Sequence, residues 1–314
     1  MKAGVSRKLP LDCLKILQPH FESVEIYEKG RPLDEMELAQ AIKDKDVFIC
    51  QLTEPINERV LSHANRLKHL ATFSTGVDHL DLKALKTRGV KVSHTPGVLT
   101  EATANLAWAL ILNCGRRVNE AREFLKQGKF NGFFPSLFLG LSFERSTLGI
   151  VGMGKIGQAV AKRAQCFGMR VVYFSRRHFP VDGATQVGFE ELLKESDVVS
   201  LHCPLTPQTR HLFNQENLSK MKPTAILINT ARGPIIDETA LVEHLKKNPD
   251  FQAGLDVFEK EPQVAQGLLD LPNALSVPHI GSASRWAREE MARICIEEAM
   301  RFARGENLQY EYPL

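Results

Sequence analysis

Short apolar runs of strand length alternate with helical patterns along the whole chain, and the series occurs twice. The first reads "AGVS", "VEIY", "DVFICQ", "HLATFS" and "VKVSH", with helical patterns such as "DEMELAQAIK" and "LDLKALKTRG" between them. From Ser146 the alternation restarts with "TLGIVG", "RVVYFS", "DVVSLHC", "AILINTA", "FQAGLDVF" and "LSVPHI", separated by "KIGQAVAKRAQCFG", "FEELLKES", "ENLSKM" and "DETALVEHLKK". Strands that alternate with helices pair in parallel, because each crossover helix carries the chain back before the next strand begins. The strands of the second series are nearly continuous Val, Ile and Leu, as expected for strands buried on both faces. The expected fold class is therefore α/β, with doubly wound parallel sheets. At 314 residues the chain has the length of about two domains.

The turning points of the chain suggest where those domains meet. A longer helix is predicted from near Thr100, where "TEATANLAWALILN" supplies a threonine cap and apolar positions at helical spacing, and it leads into the second domain. The last helix, from about Ala283 to Arg304, ends near Gly305 and is expected to return to the first. The expected division is residues 1–98 with 284–314, and residues 99–283. Two crossings of this kind make a double hinge around a cleft.

Composition excludes several partners. With 43% hydrophobic and 25% charged residues the chain reads as soluble and globular, and a formal charge of +3 without a basic stripe argues against nucleic acid. The most apolar run, "LAWALIL", falls far short of the roughly 20 residues that cross a bilayer. The opening "MKAGVSRKLP" has no apolar signal segment. Six scattered cysteines, with no CxxC pair and no metal-ligand spacing, point to reduced thiols, a cytoplasmic address and no metal.

"GIVGMGKIG" is the strongest local motif. Gly152, Gly154 and Gly157 fit GxGxxG after a buried strand, and Lys155 and Ile156 begin the helix that follows. Glycine allows the tight turn, the approach of backbone to a pyrophosphate, and close packing of helix on strand; the helix N-terminus then offers N–H groups to the anion. In an NAD site the next strand ends on a carboxylate that binds the adenosine ribose. Here it ends in Ser175, Arg176 and Arg177, with no acid before Asp182. A carboxylate repels a 2′-phosphate, whereas guanidinium pairs with it through parallel hydrogen bonds. NADP(H) is the expected cofactor, and the alternative is surface arginines with NAD(H) also accepted.

The C-terminal half carries three residues suited to acid–base chemistry on a small acid. "INTARGPIID" puts Arg232 past one buried strand, "GLDVFEKEP" puts Glu261 in a turn, and "VPHIGS" puts His279 at the end of another. Ligands of open parallel sheets bind outside the carboxyl ends of the strands, so the three are expected to converge on the nicotinamide end of the cofactor.

These motifs, with "STGVDHLDL" and "TPGVLTEAT" in the first half, resemble the D-isomer-specific 2-hydroxyacid dehydrogenases over nearly the entire chain, and within them the glyoxylate/hydroxypyruvate reductases. The resemblance implies two Rossmann-like domains: a flavodoxin-like substrate domain from both chain ends and an NAD(P)-binding domain inserted between them. It also implies a homodimer, with about Ala102 to Phe143 in the contact. It implies His279 as proton donor to a short 2-oxoacid, Glu261 as the partner that orients the imidazole and stabilises its charged form, and Arg232 as the holder of the substrate carboxylate. Backbone N–H groups at Thr75, Gly76 and Val77 would bind that carboxylate from the first domain, and Ser282 and Arg288 would help orient substrate. Thr103, Cys203, Pro204, Thr230, Ala231, Asp256 and Gly281 match cofactor-lining positions, with Asp256 either bonding the carboxamide or capping its loop. Two alternatives stand beside an NADPH-linked reductase: an NAD-dependent dehydrogenase of a larger D-2-hydroxyacid, and a nucleotide-sensing, corepressor-like binding protein.

Overall fold

Every pairing between successive strands of both sheets is parallel. A computed structural model describes all residues, 1–314, and the chain divides into two units, Met1–Leu99 with Ala283–Leu314, and Thr100–Ser282.

In the first unit, β1 (Lys2–Val5), β2 (Ser23–Ile26), β3 (Val47–Gln51), β4 (His69–Phe73) and β5 (Lys91–Ser93) lie in the order β2-β1-β3-β4-β5. This is the flavodoxin-like order, in which the winding reverses between the first and third strands. Alternation along β3 divides the core: Val47 and Ile49 pack with Val5, Ala71 and the C-terminal helix Arg285–Ala303 through Ala292, Cys295 and Ile296. Phe48 and Cys50 face the other way, against α2 (Glu35–Ile42), α3 (Glu58–Leu61) and α4 (Leu82–Thr87). These three helices, and α1 (Cys13–Leu17) before them, each begin at an Asp or Asn whose side chain accepts the N–H three residues on: Asp12, Asp34, Asn57 and Asp81. Such caps are worth about 1 kcal/mol each and fix where each crossover starts.

The second unit contains β6 (Thr147–Val151), β7 (Arg170–Phe174), β8 (Ala184–Gln186), β9 (Val198–Leu201), β10 (Ile226–Asn229), β11 (Gln252–Leu255) and β12 (Ala274–Ser276), in the order β12-β11-β10-β9-β6-β7-β8. The winding reverses between β6 and β9, the place where a doubly wound sheet opens a crevice for a ligand. Helices α5 (Thr100–Gly115) and α7 (Lys155–Cys166) cover one face through Trp108, Ile111, Val160 and Ala164; α8 (Phe189–Glu195), α9 (Gln215–Ser219) and α10 (Glu238–Lys247) cover the other through Leu192, Leu218 and Leu241. No helix is long and apolar enough to cross a membrane.

Some elements carried no readable signal. The helix from Thr100 stops at Gly115, and α6 (Val118–Lys126) follows a left-handed Arg117 at φ 52°. α6 buries none of its residues. The edge strand β8, "ATQ", has no apolar run because it is only partly covered. After α6 the segment "FNGFFPSLFLG" leaves Phe130, Phe133, Phe134, Leu137 and Leu139 exposed on the second unit.

Candidate active site

The glycine turn after β6 contains three glycines for three different reasons. Gly152 has φ +97°, and a Cβ there would stand 2.6 Å from the Cys203 nitrogen at the end of β9. Only glycine takes that conformation in that space. Gly154 opens α7 as its N-cap and has nothing within 4 Å of a Cβ position, so its backbone is open to an incoming group. A Cβ on Gly157 would lie 2.3 Å from the Gly152 carbonyl, so this glycine sets how closely helix and turn pack. The first turn of α7 holds Lys155 and Ile156 and no acidic residue. The N–H groups of a first helical turn have no intrahelical acceptor, which makes this end fit for phosphate.

At the end of β7, Ser175 is half-buried while Arg176 and Arg177 are exposed and neither forms an ion pair with a carboxylate. Arg177 lies over the Phe179 ring at 5.7 Å. Tyr173 fastens the loop, its hydroxyl donating to the Phe179 carbonyl at 2.8 Å. Two guanidinium groups without a protein counter-charge are able to receive an anion. Arg176 also acts electrostatically on the Cys203 thiol, although burial dominates there and pushes that thiol up to about 11. Cys203 is therefore neutral and lines the turn without chemistry of its own; Pro204 beside it is exposed.

At the ends of β10, β11 and β12, side chains do the building. The buried Asn229 closes the turn after β10: its Oδ1 accepts the Ala231 N–H at 3.0 Å and its Nδ2 donates to the Arg232 carbonyl at 2.9 Å. Arg232 Nη1 donates to the Ala231 carbonyl at 2.7 Å. Thr230, buried in the same turn, has a hydroxyl with no protein partner, a feature a bound polar group would satisfy.

Nδ1 of His279 lies 2.8 Å from Oε2 of Glu261. Burial pushes the Glu261 carboxyl up, but the bond and charge of His279, the Phe258 N–H and Arg232 together hold it below the ordinary carboxylate value. An ionised carboxylate only accepts, so Nδ1 carries a proton and Nε2 is the nitrogen left for a substrate. His279 stands in the left-handed region at φ 50°, uncommon for a residue with a side chain. Asp256 maintains this turn: its carbonyl accepts the His279 N–H at 2.9 Å, and its two carboxylate oxygens accept the N–H groups of Ile280 at 2.6 Å and Gly281 at 2.8 Å. Burial pushes the Asp256 carboxyl up to about 6, against the pull of those amides. Thr103 donates to the Gly281 carbonyl at 3.3 Å, so Thr103, Asp256 and Gly281 form one cluster.

In the first unit, the loop after β4 holds Thr75, Gly76 and Val77. Thr75 donates its hydroxyl to the Thr95 carbonyl at 2.6 Å, and Ser74 reaches the Gly76 carbonyl at 2.6 Å. The hydroxyls of Ser74 and Thr75 are thus engaged with backbone carbonyls. Ser282 ends the second unit; the cap of the C-terminal helix is Ser284, whose hydroxyl accepts the Ala287 N–H at 3.1 Å. Arg288 lies in the first turn of that helix, half-buried. Asn229 escaped the sequence reading; its one signal was an Asn directly before a turn, a position where the side chain can replace a backbone acceptor.

Residues 108–281 match the family model described as D-isomer specific 2-hydroxyacid dehydrogenase, NAD binding domain. The chain is 42% identical over 313 residues to a glyoxylate reductase of Thermococcus litoralis, covering 97% of this chain and 94% of that one. Among solved structures, a Thermus thermophilus protein aligns over 100% of both chains with a TM-score of 0.93 and 45% identity. An NADPH-dependent glyoxylate/hydroxypyruvate reductase of Sinorhizobium meliloti, solved with NADP and malonate, aligns over 99% of this chain and 96% of its own, with a TM-score of 0.86 and 30% identity.

Proposed function

The chain belongs to the D-isomer specific 2-hydroxyacid dehydrogenase family, and from that premise we propose that it is an NADPH-preferring reductase of glyoxylate, hydroxypyruvate or a comparably short 2-oxoacid. The observation that carries the reading is the His279–Glu261 pair at 2.8 Å, held in a left-handed turn beside Arg232. The cofactor's fit rests on the open backbone at Gly154, the unpartnered Thr230 hydroxyl and the two unpaired arginines after β7. The group would lie with its pyrophosphate on the first turn of α7, its 2′-phosphate at Arg176 and Arg177, and its nicotinamide toward Thr230 and the Asp256 cluster.

When bound, reduced nicotinamide supplies the hydride that adds to the carbonyl carbon of the 2-oxoacid. The chain's own residues manage charge and proton. Arg232 holds the substrate carboxylate and polarises the carbonyl with a planar fork of donors. Nε2 of His279 gives its proton to the carbonyl oxygen, leaving a neutral imidazole and a 2-hydroxyacid. Glu261 remains ionised throughout, keeping Nδ1 protonated and the ring oriented. Positive groups are therefore in place before negative charge develops on oxygen. The likeness to glyoxylate reductases supports a small substrate, and the NADP-bound relative supports the phosphate-bearing cofactor.

The deciding experiment is a set of steady-state rates with glyoxylate and hydroxypyruvate, each with NADPH and NADH, on the wild type and on Arg176→Ala/Arg177→Ala. A preference for NADPH that falls by about 10–100-fold in the double variant is expected, the size of one or two charge-assisted bonds. Equal rates with both cofactors in the wild type would make the arginines surface charges. Absence of turnover with either acid would move the substrate to a larger 2-oxoacid.

A further inference from the structure

The loop that carries Glu261 is tied at both ends to one buried carboxylate. Glu238, the first residue of α10 and only 6% exposed, accepts the Glu259 N–H at 2.6 Å through Oε1 and the Ala265 N–H at 3.2 Å through Oε2. Glu259 returns the contact, its Oε2 accepting the Glu238 N–H at 3.4 Å, while its Oε1 lies 3.0 Å from Nε2 of His211. His211 is itself left-handed, at φ 50°, and gives its N–H to the Pro234 carbonyl at 2.8 Å. A Cβ on Gly233 would fall 1.9 Å from the Phe258 carbonyl carbon, so the loop after Arg232 lies directly on the peptide that opens the Glu261 loop.

Helix capping does not account for Glu238. The cap of α10 is Asp237, which accepts the Ala240 N–H at 3.0 Å. Burial works against the Glu238 charge, and the nearby carboxylates of Glu259 and Glu261 add to that cost; the amides of Glu259 and Ala265 oppose it. An acid kept in such a place is explained by what it holds.

We propose that Glu238 is a positioning residue for the His279–Glu261 pair, fixing Glu261 by fastening both feet of residues 259–265, with His211 and Glu259 as an outer brace. The inference rests on the reading of His279 as proton donor. It adds a residue that touches neither substrate nor cofactor and acts only through the loop.

The test uses the full chain with NADPH and glyoxylate. Glu238→Gln keeps the volume and one acceptor but puts an amide donor opposite a backbone N–H. Turnover is expected to fall by about tenfold, with glyoxylate KM and NADPH Kd each moving less than about twofold. Protonated imidazole is less well supported when Glu261 is loosely held, so the alkaline limb of the kcat profile moves to lower pH. A merely structural role would scale kcat and leave that limb in place, and an unmoved limb overturns the proposal. If Glu238→Gln fails to bind NADPH, His211→Asn takes over, since Asn tolerates the left-handed backbone and removes the contact to Glu259. It should move the limb in the same direction by a smaller amount, and no movement there is equally decisive. His279→Gln run alongside separates the two ideas. Retained turnover in that variant removes the proton-donor reading itself, whereas lost turnover with an unmoved Glu238→Gln limb removes only the brace.

Discussion

Two ends of one row of turns along the carboxyl edge of the same sheet, the turn after β6 and the turns after β10 to β12, are built from different materials. The first is mostly backbone: three glycines and a helix start, with one side-chain bond, Gln158 Nε2 donating to the Met153 carbonyl at 3.1 Å. The second is side chains, with Asn229, Glu238 and Asp256 buried: Asn229 bonds main-chain groups of its own turn, and Glu238 and Asp256 bond those of a neighbouring one. On the proposed function, the difference follows from what each end would have to do. A pyrophosphate is held by amides whose charge does not change, while a proton donor must change charge in every cycle and keep its place while doing so.

The largest effect should come from the side-chain end. His279→Gln removes the proposed proton donor but keeps a hydrogen-bonding group of similar reach, so turnover should fall by roughly 10²–10⁴-fold with NADPH affinity little changed. Single-turnover rates measured beside a binding titration check both halves. A rate within a few fold of wild type would mean that the left-handed His279 is a structural residue. Gly152→Ala tests the backbone end and should divide the effects the other way. The new methyl meets the Cys203 nitrogen and the residue keeps φ +97°, a strain of about 1–3 kcal/mol. NADPH affinity should fall by about 10-fold or more, while the rate at saturating cofactor changes less. Were both variants to lose the same quantity, the contrast between the two ends would not hold.

The two ends also differ in how legible they were in the sequence. The glycine motif is contiguous, and its strand and helix flank it on the page, so the turn could be placed from residues 149–157 alone. Arg232, Glu261 and His279 were found as isolated residues after strands and through a family resemblance; their distances were not readable, because two crossovers, β10 to β11 and β11 to β12, separate them along the chain. The braces were invisible. Glu238 reads as a favourable acid in a first helical turn, and nothing local says that its carboxylate faces residues 259 and 265. Asp256 was readable only as two alternatives, a carboxamide contact or a loop cap; the structure gives it both amides of the His279 turn. The flavodoxin-like winding of the first unit was legible as alternation, but its short helices α1 and α3, at five and four residues, are too brief for periodicity to register.

Asp256 also provides the smallest and finest test, because its stabilising effect depends on pH. Its carboxyl is pushed by burial to about 6 from an ordinary 3.8. A group raised on folding contributes stability that is fully present below its unfolded value and is lost as pH rises through its folded value. Wild type should therefore lose stability relative to Asp256→Asn as pH climbs from about 4 to about 6, with the difference flat on either side of that window. The Asn variant cannot give both oxygens to Ile280 and Gly281, so it carries a constant penalty as well; only the pH-dependent part reports the carboxyl. Urea unfolding of both proteins at half-unit steps from pH 3.5 to 7.5 separates the two contributions. A difference constant across the whole range would mean that the two amides hold Asp256 ionised in spite of its burial. In that case the turn under His279 would rest on a fixed negative charge at every pH where the enzyme works, and the side-chain end would resemble the backbone end more closely than its construction suggests.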